Sequence, residues 1–142
     1  MTLRTSLLAG FLCLGLLAPA ADAHHSFAMF DSSKKLTITG VVEKFEWTNP
    51  HCWLHVMVPG ANGAPAERWS LEGTSPSVLA RRGWKSTDFK VGDSVTVTVT
   101  PLRDGTRGGA LNTVTRASDG KVFVSYGAFA DSSEGGGEAP KE

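Results

Sequence analysis

The sequence predicts a mainly β domain that folds as a small closed barrel. Segments in which apolar and polar residues alternate recur along the chain with turn residues between them, and this alternation is typical of strands with one buried face. Only one segment carries the start and stop signals of a helix, and it is short. Because this segment follows three strands and precedes further strands, the element order is that of an OB-fold barrel. A plain β-sandwich is the alternative fold.

The start of the chain has the composition of a secretory signal peptide. Arg4 gives it a positive charge, residues 7–17 are apolar, and small residues precede a cleavage point after Ala23. The apolar run is shorter than the roughly 20 residues that span a bilayer, so we expect no integral membrane association once the signal is removed. The sequence therefore predicts export to the periplasm, with His24 as the first residue of the mature chain.

The mature part has the length of one domain with a modest core. The end of the chain is rich in Gly, Ser, Glu and Lys, a composition that favours disorder. The expected limits are a signal peptide at 1–23, an OB-like barrel domain with an N-terminal arm at 24–129, and a disordered tail at 130–142. Cleavage after Ala20 is the alternative, and it would leave three residues ahead of His24.

The charge balance argues against nucleic-acid binding, and the cysteine content excludes an intrachain disulfide in the mature chain. The chain has 14 Lys and Arg against 14 Asp and Glu, so it lacks the basic groove that binds nucleic acid. Cys13 lies in the signal, which leaves Cys52 without a partner for an intrachain disulfide. Cys52 shares a strand face with Leu54 and Val56, and this placement predicts a buried, inert thiol.

The arm and the first strand begin the domain. The arm carries apolar side chains that predict packing on the barrel: Phe27, Met29 and Phe30. The first strand starts at Leu36. Its apolar residues up to Val42 lie on one face, whereas Phe45 and Trp47 would lie on the opposite face of a regular strand. A bulge near Glu43 and Lys44 would keep both sets inward, and Gly40 allows a sharp bend. A long, coiled first strand suits a small barrel.

The second and third strands follow, and then the helix. The Asn49-Pro50 turn leads into a strand at 51–58, and the third strand is expected at 67–72. The helix has a possible cap in Ser75, a proline suited to its first position and a glycine at its end. The residues that mark its start and end are Ser75, Pro76, Arg81, Arg82 and Gly83. The residues expected to plug the open end of the barrel are Val78, Leu79 and Trp84.

The last strands complete the predicted barrel. Three valines alternate with threonines up to Pro101, which is the clearest strand pattern in the chain. A hairpin loop at 103–109, a strand at 110–116, the tight turn Asp119-Gly120 and a strand at 122–126 follow.

The four histidines form the chemically most informative constellation: His24, His25, His51 and His55. A histidine at a free amino terminus can chelate one metal through its amine and its ring, and a second imidazole then completes a nitrogen-rich site. Cu(II) prefers such tetragonal nitrogen geometry. The sequence thus suggests a copper site at His24 and His51, with His25 or His55 assisting. The alternative is that His51 fixes the turn by a hydrogen bond and His55 is a half-exposed strand residue.

Strand geometry limits how these histidines can combine. His51 and His55 are four residues apart, about 13 Å along a regular strand, so they cannot both bind one ion. His51 is the favoured partner of the arm because it follows the turn at the barrel rim, and His55 is the alternative.

A metal-free function is the second hypothesis. The face that alternates with the core carries Trp53, His55, Arg68 and Glu72, and it could bind a peptide, an envelope partner or a small solute. Trp53 is the tryptophan expected outside the core, whereas Trp47, Trp69 and Trp84 are expected inside.

No catalytic residues are predicted. Asp31, Glu43, Glu46 and Glu72 do not form an acid-base pair by spacing, and no serine lies in a nucleophile elbow. We therefore expect a binding module rather than an enzyme, since a copper site on a fold does not establish turnover.

Two motifs together give the chain a family resemblance. His24-His25-Ser26 follows the signal, and Asn49-Pro50-His51 forms a turn. In these motifs the chain resembles a family of exported bacterial proteins of unknown function that begin His-His-Ser and carry an Asn-Pro-His turn. The resemblance covers His24 to about Tyr126. It implies a small periplasmic domain without an established enzyme activity, and it identifies no ligand.

Overall fold

The computed structural model describes residues 27–126, which form a mainly β fold with one α-helix. The elements are β1 Leu36–Glu46, β2 Trp53–Val58, β3 Glu67–Glu72, α1 Pro76–Arg81, β4 Ser94–Pro101, β5 Gly108–Arg116 and β6 Val122–Val124, with 3-10 turns at Phe27–Met29 and Ala61–Gly63. The predicted signal peptide, His24, His25 and the predicted tail lie outside the described residues.

Five of the strands close into a barrel. β1 pairs antiparallel with β2 and β4, β2 pairs with β3, and β4 pairs with β5. The parallel pairing of β3 with the start of β5 closes the ring, and β6 pairs antiparallel with a later part of β5. This strand order and the position of α1 between β3 and β4 confirm the predicted OB-like barrel over the sandwich.

The first strand bends where its apolar parity changes. Val42 pairs with Val56 and Lys44 pairs with His55, so Glu43 is the extra residue of a β-bulge. Three residues earlier, a Cβ on Gly40 would lie 2.3 Å from the Met57 carbonyl oxygen. Glycine is therefore required there because β1 and β2 approach each other closely.

The core contains the apolar face of each strand. Val95, Val97 and Val99 of β4 are buried, as are Leu54, Val56, Trp69 and Leu71 from β2 and β3. One end of the barrel is closed by Leu79 of α1 and by an aromatic cluster of Phe45, Trp84, Phe89 and Phe123. Trp47 is only partly buried against this core.

The residues that mark the start and end of the helix lie where the sequence predicts, but Ser75 does not make a capping hydrogen bond. Ser75 is the N-cap residue, Pro76 is the first helical residue, and Gly83 has a φ of +83° just past the end. The Ser75 hydroxyl makes no capping hydrogen bond, because it contacts the Ser77 hydroxyl at 3.1 Å instead.

Three strand boundaries differ from the sequence prediction. β2 begins at Trp53, after the turn that contains the cis Asn49-Pro50 bond, and β6 ends at Val124. β5 begins at Gly108, two residues before the predicted start at Ala110. Glycines carry no side-chain alternation, so only the pairing with β3 and β4 reveals that they belong to the strand.

The described part of the arm packs on the barrel at Phe30, as predicted, whereas Met29, which was also expected to pack there, is 45% exposed. Phe30 is buried and forms a β-bridge with Leu102, directly after β4. The Arg103 N–H donates to the Met29 carbonyl at 3.0 Å, and the Arg103 guanidinium donates to the Ala28 carbonyl at 2.9 Å. The arm is thus fixed against the β4–β5 connection.

Within residues 27–126, no helix combines the length and the apolar character needed to cross a bilayer.

Candidate functional site

His51 lies in the turn that leads into β2, at the rim of the barrel. Its backbone carbonyl accepts a hydrogen bond from the Thr48 hydroxyl at 3.2 Å. Its ring points to β3, where Nδ1 lies 2.5 Å from Oε1 of Glu72. The predicted alternative, a hydrogen bond between His51 and its own turn, is therefore made by the backbone carbonyl of His51. The ring of His51 instead connects the turn to Glu72 of β3.

The position of Glu72 follows from strand register. Trp53, two residues after His51, pairs directly with Glu72, which places the end of β3 beside the turn. The Glu72 side chain is only 9% exposed, while the His51 side chain is 27% exposed. A buried carboxylate needs a donor, and the His51 ring supplies one. The pair thus combines a buried carboxylate with a partly exposed imidazole.

Tyr126 lies beside this pair. Its hydroxyl donates to the carbonyl of Gly73, the residue after Glu72, at 3.1 Å. Burial, with a smaller contribution from the Glu72 charge, raises the pKa of Tyr126 to about 12. Tyr126, two residues after β6, is therefore held at the same end of β3 as His51.

His55 is fixed within the outer face of the barrel. Its Nδ1 lies 3.0 Å from the Ser70 hydroxyl, and its Nε2 lies 3.1 Å from Oε1 of Glu46. The side chain is 10% exposed, which is more buried than the half-exposed position expected from the sequence. The reason is that Ser70 and Lys44 are its direct cross-strand neighbours and Glu46 lies beside it.

The carboxylate that holds His55 is itself charge-paired. Lys44 Nζ lies 2.8 Å from Oε1 of Glu46. The pKa of Glu46 is lowered, mainly by the hydrogen bond from Lys44 and then by that from His55. Both ring nitrogens of His55 thus have hydrogen-bond partners, and ligation of a metal would require one of them to be displaced.

The residues proposed for metal-free binding lie along β2 and β3 rather than around one pocket. Trp53 is half-buried, and its ring is nearly parallel to that of His55, with centroids 6.4 Å apart. Arg68 is exposed, and its Nε lies 2.5 Å from Oε2 of Glu43 in the bulge. Arg68 and Glu72 are four residues apart on a strand, about 13 Å, so they do not converge on one small ligand.

The described residues supply part of a metal site at most. In the range 27–126, no group of three or more His, Cys, Asp and Glu residues is arranged to hold an ion. Cys52 is buried, as predicted, and burial raises the pKa of its thiol. His24 and His25 precede the described range.

Sequence reasoning identified Glu72 as a candidate but did not connect it to His51. It also missed Ser70, Glu46 and Tyr126 as members of the surrounding hydrogen-bond groups. The missing information is the register of β2 against β3. The alternation of each strand gives its outward residues, but the residue opposite Trp53 depends on the length and shape of the intervening loop.

The comparison with protein families is informative once this geometry is known. A family of unknown function, DUF6152, matches residues 13–112. The chain belongs to this family. The match runs from the apolar N-terminal segment through the turn at His51 and into β5, so it includes both His51 and Glu72. No curated protein and no solved structure matches the chain. The expected membership of a family without an assigned function is therefore confirmed.

Proposed function

We propose that the mature protein is a periplasmic binding module that holds one copper ion through His24 and His51. The observation that carries the proposal is the His51–Glu72 pair, in which a buried carboxylate fixes a partly exposed imidazole at the barrel rim. Metal-binding histidines typically donate their second ring N–H to a carboxylate, which sets the orientation of the ring. His51 has this arrangement.

The remaining ligands come from the new amino terminus. Cleavage after Ala23 gives His24 a free amine beside its own imidazole, and both can bind the same ion. With His51 they form a set of three nitrogens, which suits the tetragonal preference of Cu(II). Binding requires these groups to be deprotonated, so copper affinity falls as the pH is lowered. If cleavage occurs elsewhere, His25 takes the place of His24 with its ring alone.

The alternative function, metal-free binding on the outer face, has less support. His55, Arg68 and Glu72 already bond to Ser70 and Glu46, to Glu43 and to His51, respectively. A ligand that used these groups would have to displace existing partners. Trp53 alone would remain as a platform.

The copper proposal is tested by changing the amino terminus alone. We expect the mature protein that begins at His24 to bind one Cu(II), and a form whose amino terminus is acetylated to bind much more weakly, because the blocked amine is no longer a ligand. Isothermal titration gives the affinity, and electron paramagnetic resonance reports the number of nitrogen ligands.

Two matched variants complete this experiment. His51→Gln should lose one nitrogen from the resonance spectrum, whereas His55→Gln should keep the wild-type spectrum. Equal and weak binding by the two amino-terminal forms would contradict the proposal, as would an unchanged spectrum in His51→Gln.

A further inference from the structure

We infer that Ser70, His55 and Glu46 form a separate site on the outer face of the barrel, in which the Ser70 hydroxyl accepts an acyl group from a short-chain carboxylic ester. His55 is the general base of this site, and Glu46 positions its ring. The three residues lie on three neighbouring strands, β3, β2 and β1. Copper is not involved, since neither His51 nor the amino terminus belongs to this site.

Strand register brings the three side chains together. His55 pairs directly with Ser70, and Trp53, two residues before His55, pairs with Glu46. The Ser70 hydroxyl oxygen lies 3.0 Å from Nδ1 of His55, and Nε2 of the same ring lies 3.1 Å from Oε1 of Glu46. A nucleophile, a base and a group that orients the base are thus within hydrogen-bond distance of one another, with the two ring nitrogens exchanged relative to the triad of serine proteases.

The partners of His55 determine which group donates in each hydrogen bond. Lys44 Nζ lies 2.8 Å from Oε1 of Glu46, and this hydrogen bond has the largest effect in lowering the pKa of Glu46. An ionised carboxylate can only accept, so Nε2 of His55 carries the ring proton. In the neutral ring the lone pair is then on Nδ1, which accepts from the Ser70 hydroxyl. The Ser70 proton is therefore directed at a base, as nucleophilic attack requires.

The base is buried, whereas the nucleophile can be reached. His55 is 8% exposed, and the ring of Trp53 lies nearly parallel to its ring, with 7° between the planes. Ser70 is partly exposed. The imidazole is thus held in one orientation and shielded from water, while a substrate can approach Ser70 from the outer face.

The next pair of residues on this face indicates the class of substrate. Met57 and Arg68 pair with each other across β2 and β3, each two residues from His55 or Ser70. Glu43 contacts Nε of Arg68, whose side chain is 50% exposed and whose guanidinium has further N–H donors. A short acyl chain can pack on Met57 while Arg68 donates to the carbonyl oxygen, on which negative charge develops in the transition state.

The reaction balances with water as the second substrate. The Ser70 oxygen bonds to the ester carbonyl carbon as its proton passes to Nδ1 of His55. The bond to the alcohol oxygen then breaks, and the alcohol leaves with that proton. Water attacks the acyl-serine with His55 again as the base, which releases the carboxylic acid and restores the Ser70 hydroxyl.

Acylation is measured with p-nitrophenyl acetate on the metal-free mature protein. We expect release of p-nitrophenolate and, by mass spectrometry, an acetyl group on the peptide that contains Ser70. Ser70→Ala should lose this acetylation. His55→Gln should acetylate Ser70 at least about 100-fold more slowly, since a positioned general base contributes about that much or more.

The role of Glu46 is measured at the ring of His55 as well as by rate. Nitrogen-15 NMR should show Nε2–H for His55 in the wild type and a shift toward Nδ1–H in Glu46→Gln, because a glutamine amide can donate as well as accept. This variant should also acetylate Ser70 more slowly than the wild type. Glu67→Gln is the matched control: its carboxylate lies on β3 and pairs with Arg107, so this change should leave the tautomer and the rate unaltered.

Several results would overturn the acyl-transfer site. An Nδ1–H tautomer of His55 in the wild type does so even if the variants fail to fold. Acetylation of Ser70 that is no faster than that of the exposed Ser32 does so too, as does a wild-type rate in His55→Gln. If Glu67→Gln slows acetylation as much as Glu46→Gln, the positioning role of Glu46 is wrong. Each of these results leaves the copper proposal unchanged.

Discussion

At the scale of single residues, the two histidines of the second strand region have different surroundings. The Nδ1 atom of His51 lies 2.5 Å from a buried carboxylate oxygen of Glu72, and the His51 side chain is 27% exposed. His55 has both nitrogens bonded and is buried in the outer face. The difference arises from position, since His51 lies in the rim turn and His55 lies between two paired strands. Similar side chains in one short segment thus suit different roles.

Tyr126 gives a residue-scale prediction because it is the single tyrosine of the chain. Its pKa is raised to about 12, so we expect the tyrosinate absorbance of the folded protein to appear about two pH units above the ordinary value of 10. The folded state holds this proton more tightly than the unfolded state. Its stabilising contribution is therefore complete below about pH 10 and is lost as the pH rises toward 12.

Spectrophotometric titration measures this shift directly. The same titration in denaturant should return the midpoint to about 10, and Tyr126→Phe should remove the signal. A midpoint near 10 in the folded protein would show that the hydroxyl is not buried as the structure has it.

At the scale of elements, β1 determines the shape of the barrel. Its bulge at Glu43 changes the side-chain parity, so residues on both sides of the bulge face the core. The close approach at Gly40 allows β1 to coil against β2. Both features were visible in the sequence, as a parity change and as a glycine inside a strand, because each alters a local pattern.

Gly40→Ala tests the close approach of β1 and β2. The added Cβ would lie 2.3 Å from the Met57 carbonyl oxygen and 2.7 Å from Cγ1 of Val56, and the backbone oxygen cannot move without shifting β2. We expect the free energy of unfolding to fall by about 1–3 kcal/mol, as measured by urea denaturation.

Thr37→Ser is the control for this change. Thr37 lies on the same strand, three residues before Gly40, and it is exposed. Its substitution should change the free energy of unfolding by about 0.5 kcal/mol or less. Equal effects of the two substitutions would show that crowding at Gly40 is not important.

At the scale of the whole molecule, two long-range features complete the fold. The parallel pairing of β3 with β5 closes the barrel, and α1 with the aromatic cluster covers one end of it. Closure also brings the end of β3, the rim turn and the residues after β6 to one place. The candidate site therefore depends on the closed barrel rather than on any one element.

Leu79→Ala tests the contribution of the end cover. Leu79 is fully buried, and its truncation leaves a cavity between α1 and the barrel. We expect the free energy of unfolding to fall by about 2–5 kcal/mol in urea denaturation. Val91→Ala, at a position that is 79% exposed, should have an effect of about 0.5 kcal/mol or less. A small effect at Leu79 would show that the helix does not seal the core.

The sequence by itself determined the fold class, the order of the elements and the face of each strand that is buried. These follow from local rules, because side chains alternate along a strand and glycine and proline mark turns. Thus the valines of β4, the bulge and the helix position were predicted correctly. The start of β5 was not, since Gly108 and Gly109 carry no side-chain pattern.

Only the tertiary structure decided which side chains meet. The partnership of His51 with Glu72 and the burial of His55 depend on the register of β2 against its neighbours, and residues far apart in the chain set that register. Alternation gives the face on which a residue lies, but it does not give the residue opposite. For that reason the sequence named His51 and Glu72 separately, and the closed barrel placed them 2.5 Å apart.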